Sequence, residues 1–227
     1  MCRILGIQAD EPTDATPWIE AFAHRCRDSQ EFQGHGWGMS WQEHGSWRRY
    51  RSIRPIWEDR VELPPSRMIL VHARSAFRNE GIAVENNMPF LSDDLAFAFN
   101  GELHGVRLSA PCNTGAARLQ HLLERFRTAA DGDTLAAFAR LDELITLRSE
   151  YVRALNIVVS DGRSFFINTS YSEDEDYFTL HTASVPGHPG MRIVSSETIC
   201  TADIEPDWVS IPNHSTRELG AASTCCS

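Results

Sequence analysis

Apolar residues recur along the chain with two different spacings, and each change of spacing marks a new element. Met1 to Ile7 forms an apolar strand, and Asp10 to Thr16 reads as a polar turn behind it. Thr16-Pro17 supplies an N-cap with proline at the first helical position, opening a helix whose apolar face carries Trp18, Ile19, Phe22 and Ala23. Gly34 to Gly38 turns the chain into Met39-Ser40-Trp41, and Trp47 to Arg54 returns it with one solvated face, which predicts a hairpin. A buried strand follows over Arg67 to Ala73 and a second apolar strand over Phe97 to Leu103. The polar stretch between them, Ser75 to Asn87, is long for a connection in a compact domain and is expected to be a flap over a substrate.

Farther along, the spacing becomes helical. Leu119, Leu122, Leu123 and Phe126 fall at i, i+3, i+4 and i+7 behind Thr114 as a cap, and a second helix from Thr134 sets Leu135, Phe138, Leu141 and Ile145 on one side. Short strands are expected over Ala154 to Val159, Ser164 to Asn168 beyond an Asp161-Gly162 turn, Phe178 to Thr182, Arg192 to Ser195 and Trp208 to Ile211. Two helices between two groups of strands predict a layered sandwich. Residues 1–220 form a single domain in this scheme, with 221–227, including Cys225-Cys226, as a disordered tail.

Composition narrows the class. The 227 residues are 42% hydrophobic, enough for one large core. A net charge of -10 without a basic stripe argues against a nucleic-acid partner, and no apolar run has the length of a membrane span. Met1-Cys2-Arg3 lacks the features of a signal peptide, so a cytoplasmic location and reduced thiols are expected for the six cysteines. The nine histidines show no metal-ligand spacing, and His35, His44, His104 and His188 sit among glycines that read as turns, so neither a metal nor a cofactor is expected.

Candidate chemistry starts at Cys2. Once Met1 is removed, one residue carries both a thiol, titrating near ~8.5, and an α-amino group, near ~7.7–8.0, so the amine can act as general base for its own nucleophile. The plainer role is a small core residue in the first strand. Arg74, in Val71-His72-Ala73-Arg74-Ser75, is a guanidinium at a strand end that can grip a substrate carboxylate through two hydrogen bonds, or serve as a strand-end salt bridge. Asn100-Gly101 offers a side-chain amide beside a glycine N–H, a donor pair for an oxyanion, and is equally a short hairpin signal.

These residues fall within a wider set: Met1-Cys2-Arg3-Ile4-Leu5-Gly6, Gly36-Trp37-Gly38, His72-Ala73-Arg74, Glu85-Asn86-Asn87-Met88-Pro89-Phe90, Phe99-Asn100-Gly101, Ser195-Ser196-Glu197 and Trp208-Val209-Ser210-Ile211-Pro212. Together they span nearly the whole chain. The set resembles the class II (N-terminal cysteine) glutamine amidotransferases of the N-terminal nucleophile hydrolase superfamily, and most of all their small stand-alone members without a fused synthase domain. One branch of these cleaves γ-glutamyl amides in thiol biosynthesis.

The resemblance implies an α+β fold, a four-layer αββα sandwich. It implies Cys2 as nucleophile, Asn100 and Gly101 as oxyanion donors, Arg74 and Ser75 at the substrate, and His35, Gly36, Trp37 and His72 in support behind them. The substrate is then a small-molecule amide, glutamine or a γ-glutamyl-type amide, and the released ammonia or amine leaves or passes to a separate ammonia-accepting partner.

Three positions depart from the family pattern. His35 stands where Asp is common before Gly-Trp-Gly, and Met88 where histidine is common before Pro-Phe. The helix opens Thr114-Gly115-Ala116-Ala117 in place of Thr-Asp-Ser-Glu, so the acid that binds the α-ammonium of glutamine is absent. Either Glu85, Asp93 or Asp94 from the flap region replaces it, or the true substrate has a blocked or absent α-amino group. A rival function is a binding module that keeps the fold without turnover.

Overall fold

The computed structural model describes residues 1–92, 94–108 and 110–219. The proposed tail, with Cys225 and Cys226, and Asp93 lie outside them.

The first strand, β1 (Arg3–Thr13), sits inside a seven-stranded antiparallel sheet. Its partners are β4 (Ser66–Ala73) and β10 (His188–Ser195), with Ile4 opposite His72 and Leu5 opposite Ser195. Beyond β4 lies the expected hairpin, β2 (Trp37–Glu43) and β3 (Ser46–Ser52). Beyond β10 lie β9 (His181–Val185) and β11 (Asp207–Ser210). The second sheet runs in the order β12 (Ser215–Leu219), β8 (Phe165–Thr169), β7 (Tyr151–Ser160), β6 (Ala96–His104) and β5 (Phe90–Leu91), again antiparallel.

The two-residue alternation of strands sorts the side chains into layers. On one face of the first sheet Leu5, Ile7, Ile69 and Val71 pack with Trp18, Phe22 and Cys26 of α1 (Thr16–Arg27). On its other face Ile4, Met68, Leu70 and Val194 meet Ala96, Ala98, Val158 and Ile167 of the second sheet. The outer face of that sheet, with Phe97, Leu155, Ile157 and Val159, receives Leu119, Leu122 and Leu123 of α2 (Gly115–Thr128) and Phe138, Leu141 and Ile145 of α3 (Thr134–Arg148). Each fully buried apolar side chain contributes about 1.5–3 kcal/mol. The result is the four-layer αββα sandwich, in which the two sheets stack face to face and the helices lie outside.

Several boundaries differ from the pattern-based expectation. The polar stretch 10–13 continues β1 rather than turning, because its pairing with β4 resumes past an irregularity at Thr13 opposite Ser66. Thr16 is the first helical residue rather than the cap; its N–H is taken by Asp14 Oδ1 at 2.9 Å. Residues 178–182 are not one strand. Tyr177 and Phe178 close a single helical turn, α4 (Glu175–Phe178), and pairing starts only at His181. The cap at Thr114 is present, accepting from Ala117 N–H at 3.2 Å, whereas α3 is capped by Asp133 one residue before Thr134. Among the described residues Cys2, Cys26, Cys112 and Cys200 are unpaired, and no helix is long and apolar enough to cross a membrane.

Candidate active site

The sheet register brings the chemistry together. Ile4 faces the space between the sheets, so Cys2, two residues earlier on that strand edge, lies at the end of the same layer. His72 shares the face of β4 that carries Met68 and Leu70, and Asn100 shares the face of β6 that carries Ala96 and Ala98. Cys2, His72 and Asn100 therefore belong to one interlayer end, contributed by both sheets. Cys2, Arg74, Ser75 and Gly101 line a single cavity of about 420 Å³ there, closed by Met88, Thr114, Gly115 and Leu119 and by residues 76–78 of the 75–87 loop.

The start of β1 is held firmly. Arg3 is buried beneath Cys2, paired with Glu197 at 2.5 Å, with its guanidinium 3.8 Å from the centre of the Tyr177 ring. Ser196 accepts from the Ile4 N–H at 2.8 Å, and its own N–H donates to the Ile4 carbonyl at 3.0 Å. The Ser195-Ser196-Glu197 segment thus fixes the residues that follow Cys2. The Cys2 thiol itself donates to the Ser75 carbonyl at 3.6 Å. Burial pushes the thiol pKa up, and the neighbouring α-ammonium and Arg74 pull it back down.

Asn100 has no hydrogen-bond partner. It is fully buried, and neither its Nδ2 nor its Oδ1 is bonded, whereas the other buried asparagines, Asn87, Asn156 and Asn168, all are. A buried amide left open in this way costs about 1–3 kcal/mol and calls for a ligand or a function. Its neighbour adds a donor. Leu155, opposite Gly101, donates its N–H to Ser170 on the β8 side at 2.7 Å. The Gly101–Leu155 pair is then the non-hydrogen-bonded kind, with the Gly101 N–H pointing away from β7 toward the edge of β6 that β5, paired only with Ala96 and Phe97, leaves uncovered. No side chain fits at 101: a Cβ would stand 2.1 Å from the Ala154 carbonyl oxygen. Asn100-Gly101 is mid-strand, so it is not a hairpin turn.

Arg74 is half-buried and has no carboxylate partner among the described residues, so it is not a strand-end salt bridge. Its Nη1 reaches Asn87 Oδ1 at 3.4 Å and its Nη2 the Glu80 carbonyl at 3.5 Å, both long.

His35 lies outside the cavity wall and acts on the backbone behind it. Its Nδ1 accepts the Ala76 N–H at 2.9 Å, its backbone N–H donates to the Arg74 carbonyl, and the Gly36 carbonyl takes the Arg74 N–H. Burial and Arg74 hold the His35 pKa below its ordinary value, which keeps Nδ1 an acceptor. Gly36 has φ +106°, and a Cβ there would sit 2.3 Å from Asn87 Nδ2. Trp37 faces the other way, into the α1 layer, with Nε1 donating to Asp59 at 3.0 Å. His72 is buried beneath the site, with Nε2 donating to the Phe99 carbonyl at 3.3 Å, Nδ1 unpartnered and its pKa lowered by burial to about 3.

Among the described residues no replacement acid arrives from the flap region. Glu85 and Asp94 are absent from the cavity wall; Asp94 pairs with Arg127, and Asp93 lies outside the described residues. The acids on the wall are Glu31 and Glu102, which the motifs did not single out, together with Arg78 and Arg118. Arg118 could have been found from helical spacing, being four residues past Thr114; Glu31 carries no local signal. Among the described residues no cluster of His, Cys, Asp or Glu is arranged to hold a metal.

No protein-family model matches the chain, and no curated protein matches it. Solved structures do. Glutamine phosphoribosylpyrophosphate (PRPP) amidotransferase from B. subtilis superposes with a TM-score of 0.59 at 14% identity over 96% of this chain, which spans 49% of that longer protein. A predicted glutamine amidotransferase from Pseudomonas aeruginosa PA01 gives 0.63 at 16% identity, covering 96% of each chain. A glutamine aminotransferase class-II domain protein from Silicibacter pomeroyi gives 0.61 at 18%, covering 97% of this chain and 95% of that one. The two antiparallel sheets and their flanking helices thus form the same fold as these class II glutamine amidotransferase-type structures.

Proposed function

We propose that the chain is an N-terminal-cysteine amidohydrolase that cleaves the side-chain amide of glutamine or a γ-glutamyl-type amide through a thioester. The observation that carries this is the unpartnered, fully buried amide of Asn100, which does not itself line the cavity but adjoins Gly101, whose N–H points outward on the wall that Cys2 shares. With Met1 removed, the Cys2 amine takes the thiol proton and the thiolate attacks the amide carbon. Asn100 and Gly101 donate to the oxyanion. The amine returns its proton to the leaving nitrogen, the C–N bond breaks, and water, deprotonated by the same amine, clears the thioester. Arg74 holds the substrate carboxylate, and Ser75 sets the thiol.

Gln33 joins this group. It is buried, its Nε2 donates to the Met1 carbonyl, and its Oε1 has no partner. Once Met1 has gone, that oxygen is available to the Cys2 ammonium. The acyl portion has a blocked or absent α-amino group, as the cavity offers no acid at Gly115. Ammonia or amine released leaves to the cytoplasm or to a separate partner.

A second function, binding without turnover, applies where processing does not remove Met1. Its ammonium contacts Glu31, its carbonyl accepts from Gln33 and Tyr177, and its side chain packs against the cluster of Ala154, Tyr171, Tyr177 and Phe178. While it stays attached, the Cys2 nitrogen is an amide and no base. Intact mass combined with turnover separates the two: processed protein should hydrolyse a glutamine-type amide and the processed Cys2→Ala variant should not. Full processing with no turnover of any glutamine-type amide leaves the binding module.

A further inference from the structure

Taking the chain as an amidohydrolase, we propose that its substrate carries a second anionic group on the acyl portion, read by Arg118 with Arg78, at the wall where glutamine would present its α-ammonium. Three guanidiniums line the cavity: Arg74, Arg78 and Arg118. Among the described residues none has a carboxylate within salt-bridge distance, although eight other arginines do. Other arginines also lack a carboxylate, but these three converge on the one cavity that Cys2 lines. The two acids on the wall are already engaged. Glu31, which contacts the Met1 ammonium before processing, keeps Arg153 at 3.9 Å once Met1 is removed, and Glu102 pairs with Arg153 at 2.9 Å and with His104 at 3.0 Å.

Arg118 has the geometry of a reader. Its Nε donates to the Cys112 carbonyl at 3.2 Å, which anchors the arm while the two Nη groups keep no protein partner among the described residues. It stands on the same wall as Thr114 and Gly115, one helical turn on. The charge at this wall is therefore positive, which repels an ammonium and attracts a carboxylate or phosphate. Arg78 approaches from the 75–87 loop, its guanidinium 5.0 Å from the centre of the Phe77 ring and unpaired. Arg74, whose charge acts on Cys2, is left for the α-carboxylate of the glutamyl portion. A cavity of about 420 Å³ lies within the size range of small-molecule sites, roughly 300–1,000 Å³.

The test compares three probes on processed protein: glutamine, N-acetylglutamine with one carboxylate, and N-succinylglutamine with a second carboxylate on the blocked nitrogen. N-succinylglutamine should exceed N-acetylglutamine in kcat/KM by about tenfold or more, the scale of one charge-assisted contact. Arg118→Gln and Arg78→Gln should each shrink that ratio, and Arg118→Lys should restore part of it, which a merely structural role for Arg118 would not produce. Equal rates for the two acylated probes, or a ratio unchanged in both glutamine variants, overturns the proposal. If no probe is turned over, the amidohydrolase function fails separately. Calorimetric binding of the same probes to the Cys2→Ser variant then decides: tighter binding of the dianion, lost in Arg118→Gln, upholds the anion site, and equal binding overturns it.

Discussion

Asn156 lies directly across from Asn100 in the β6–β7 ladder, and of these two buried amides only Asn156 has its hydrogen bonds made, to the Phe178 carbonyl at 2.6 Å and from Thr169 at 2.8 Å. The same side chain in the same layer is structural on one strand and open on the next. Asn156→Ala orphans two buried groups, each costing about 1–3 kcal/mol, and should lower the denaturation midpoint accordingly. Asn100→Ala removes a group that folding leaves unpaired and should leave stability within about 1 kcal/mol of the parent, while kcat falls by about 10²–10³. A large stability loss in Asn100→Ala, with kcat intact, would make it a core residue.

His72 makes the fold sensitive to acid. Its pKa is about 3 in the folded chain because the ring is buried, against an ordinary value of 6.5. A depressed folded pKa gives stability that is complete above 6.5 and lost as the pH falls from there toward 3, since only the unfolded chain takes up the proton. The loss is about 1.4 kcal/mol per pH unit across that window. Between pH 7 and 4.5 the parent should lose roughly 2–3 kcal/mol through this group, and His72→Asn should lose that much less over the same interval. Parallel pH–stability curves for the two proteins would show that another group governs the acid limb.

Much of the fold was legible because its signal is local. The alternation in β1, β4 and β6 and the helical spacing of Leu119, Leu122 and Leu123 each reflect one buried face. Elements without such a face were missed: Ser215–Leu219 is a polar edge strand, and Phe90–Leu91 is only two residues long. Phe178 carries the same apolar signal whether it turns or extends, so its run with Leu180 predicts a strand over Phe178 to Thr182 where the chain first completes a helical turn. At the site, Cys2, Arg74 and Asn100-Gly101 stood out by residue type. The partners that give them meaning are non-local. The stacking of two sheets decides that Asn100 is unpaired and that Arg74 has no acid, and no window of sequence contains that information.

Arg74→Lys tests the clamp near the nucleophile. An ammonium keeps the charge but not the two-pronged donor geometry, so KM for a γ-glutamyl-type amide should rise by about tenfold with kcat changed much less. Because Arg74 also acts on Cys2 through its charge, which lysine keeps, reactivity of the thiol toward an alkylating reagent should stay close to the parent in this variant and fall in Arg74→Gln. An unchanged KM would leave Arg74 with only that electrostatic task.

Gln33→Met probes the amine. An amide oxygen that accepts from the Cys2 ammonium stabilises its charged form and holds its pKa up. Replacing it with a thioether of similar length should lower the amine pKa and move the acid limb of the kcat/KM profile to lower pH, with a few-fold loss of kcat from the weaker base. The chain contains no lysine, so an amine-reactive label reports the α-amine alone and measures the shift directly. Superimposable labelling curves for parent and variant would exclude Gln33 from the site.

Gly115 is where a carboxylate can be returned. A Cβ at Gly115 meets nothing within 4 Å, and the residue opens α2, where an acid is favoured by about 0.3–1 kcal/mol, so Gly115→Asp should fold at least as well as the parent. The single variant is nonetheless compromised. Three residues on, Arg118 occupies the same helix face and will pair with the new carboxylate, cancelling the charge each would offer a ligand. Gly115→Asp alone should therefore erase any preference for a dianionic amide without creating a preference for free glutamine. Only G115D/R118Q should raise kcat/KM for glutamine relative to N-acetylglutamine, by about tenfold or more, because the ammonium then meets an unopposed acid. The assay is that ratio in the parent, the single variants and the double variant. A full switch in the single variant would mean that Arg118 does not reach this wall, and no switch in the double variant would mean that the α-amino end of the substrate lies elsewhere in the cavity.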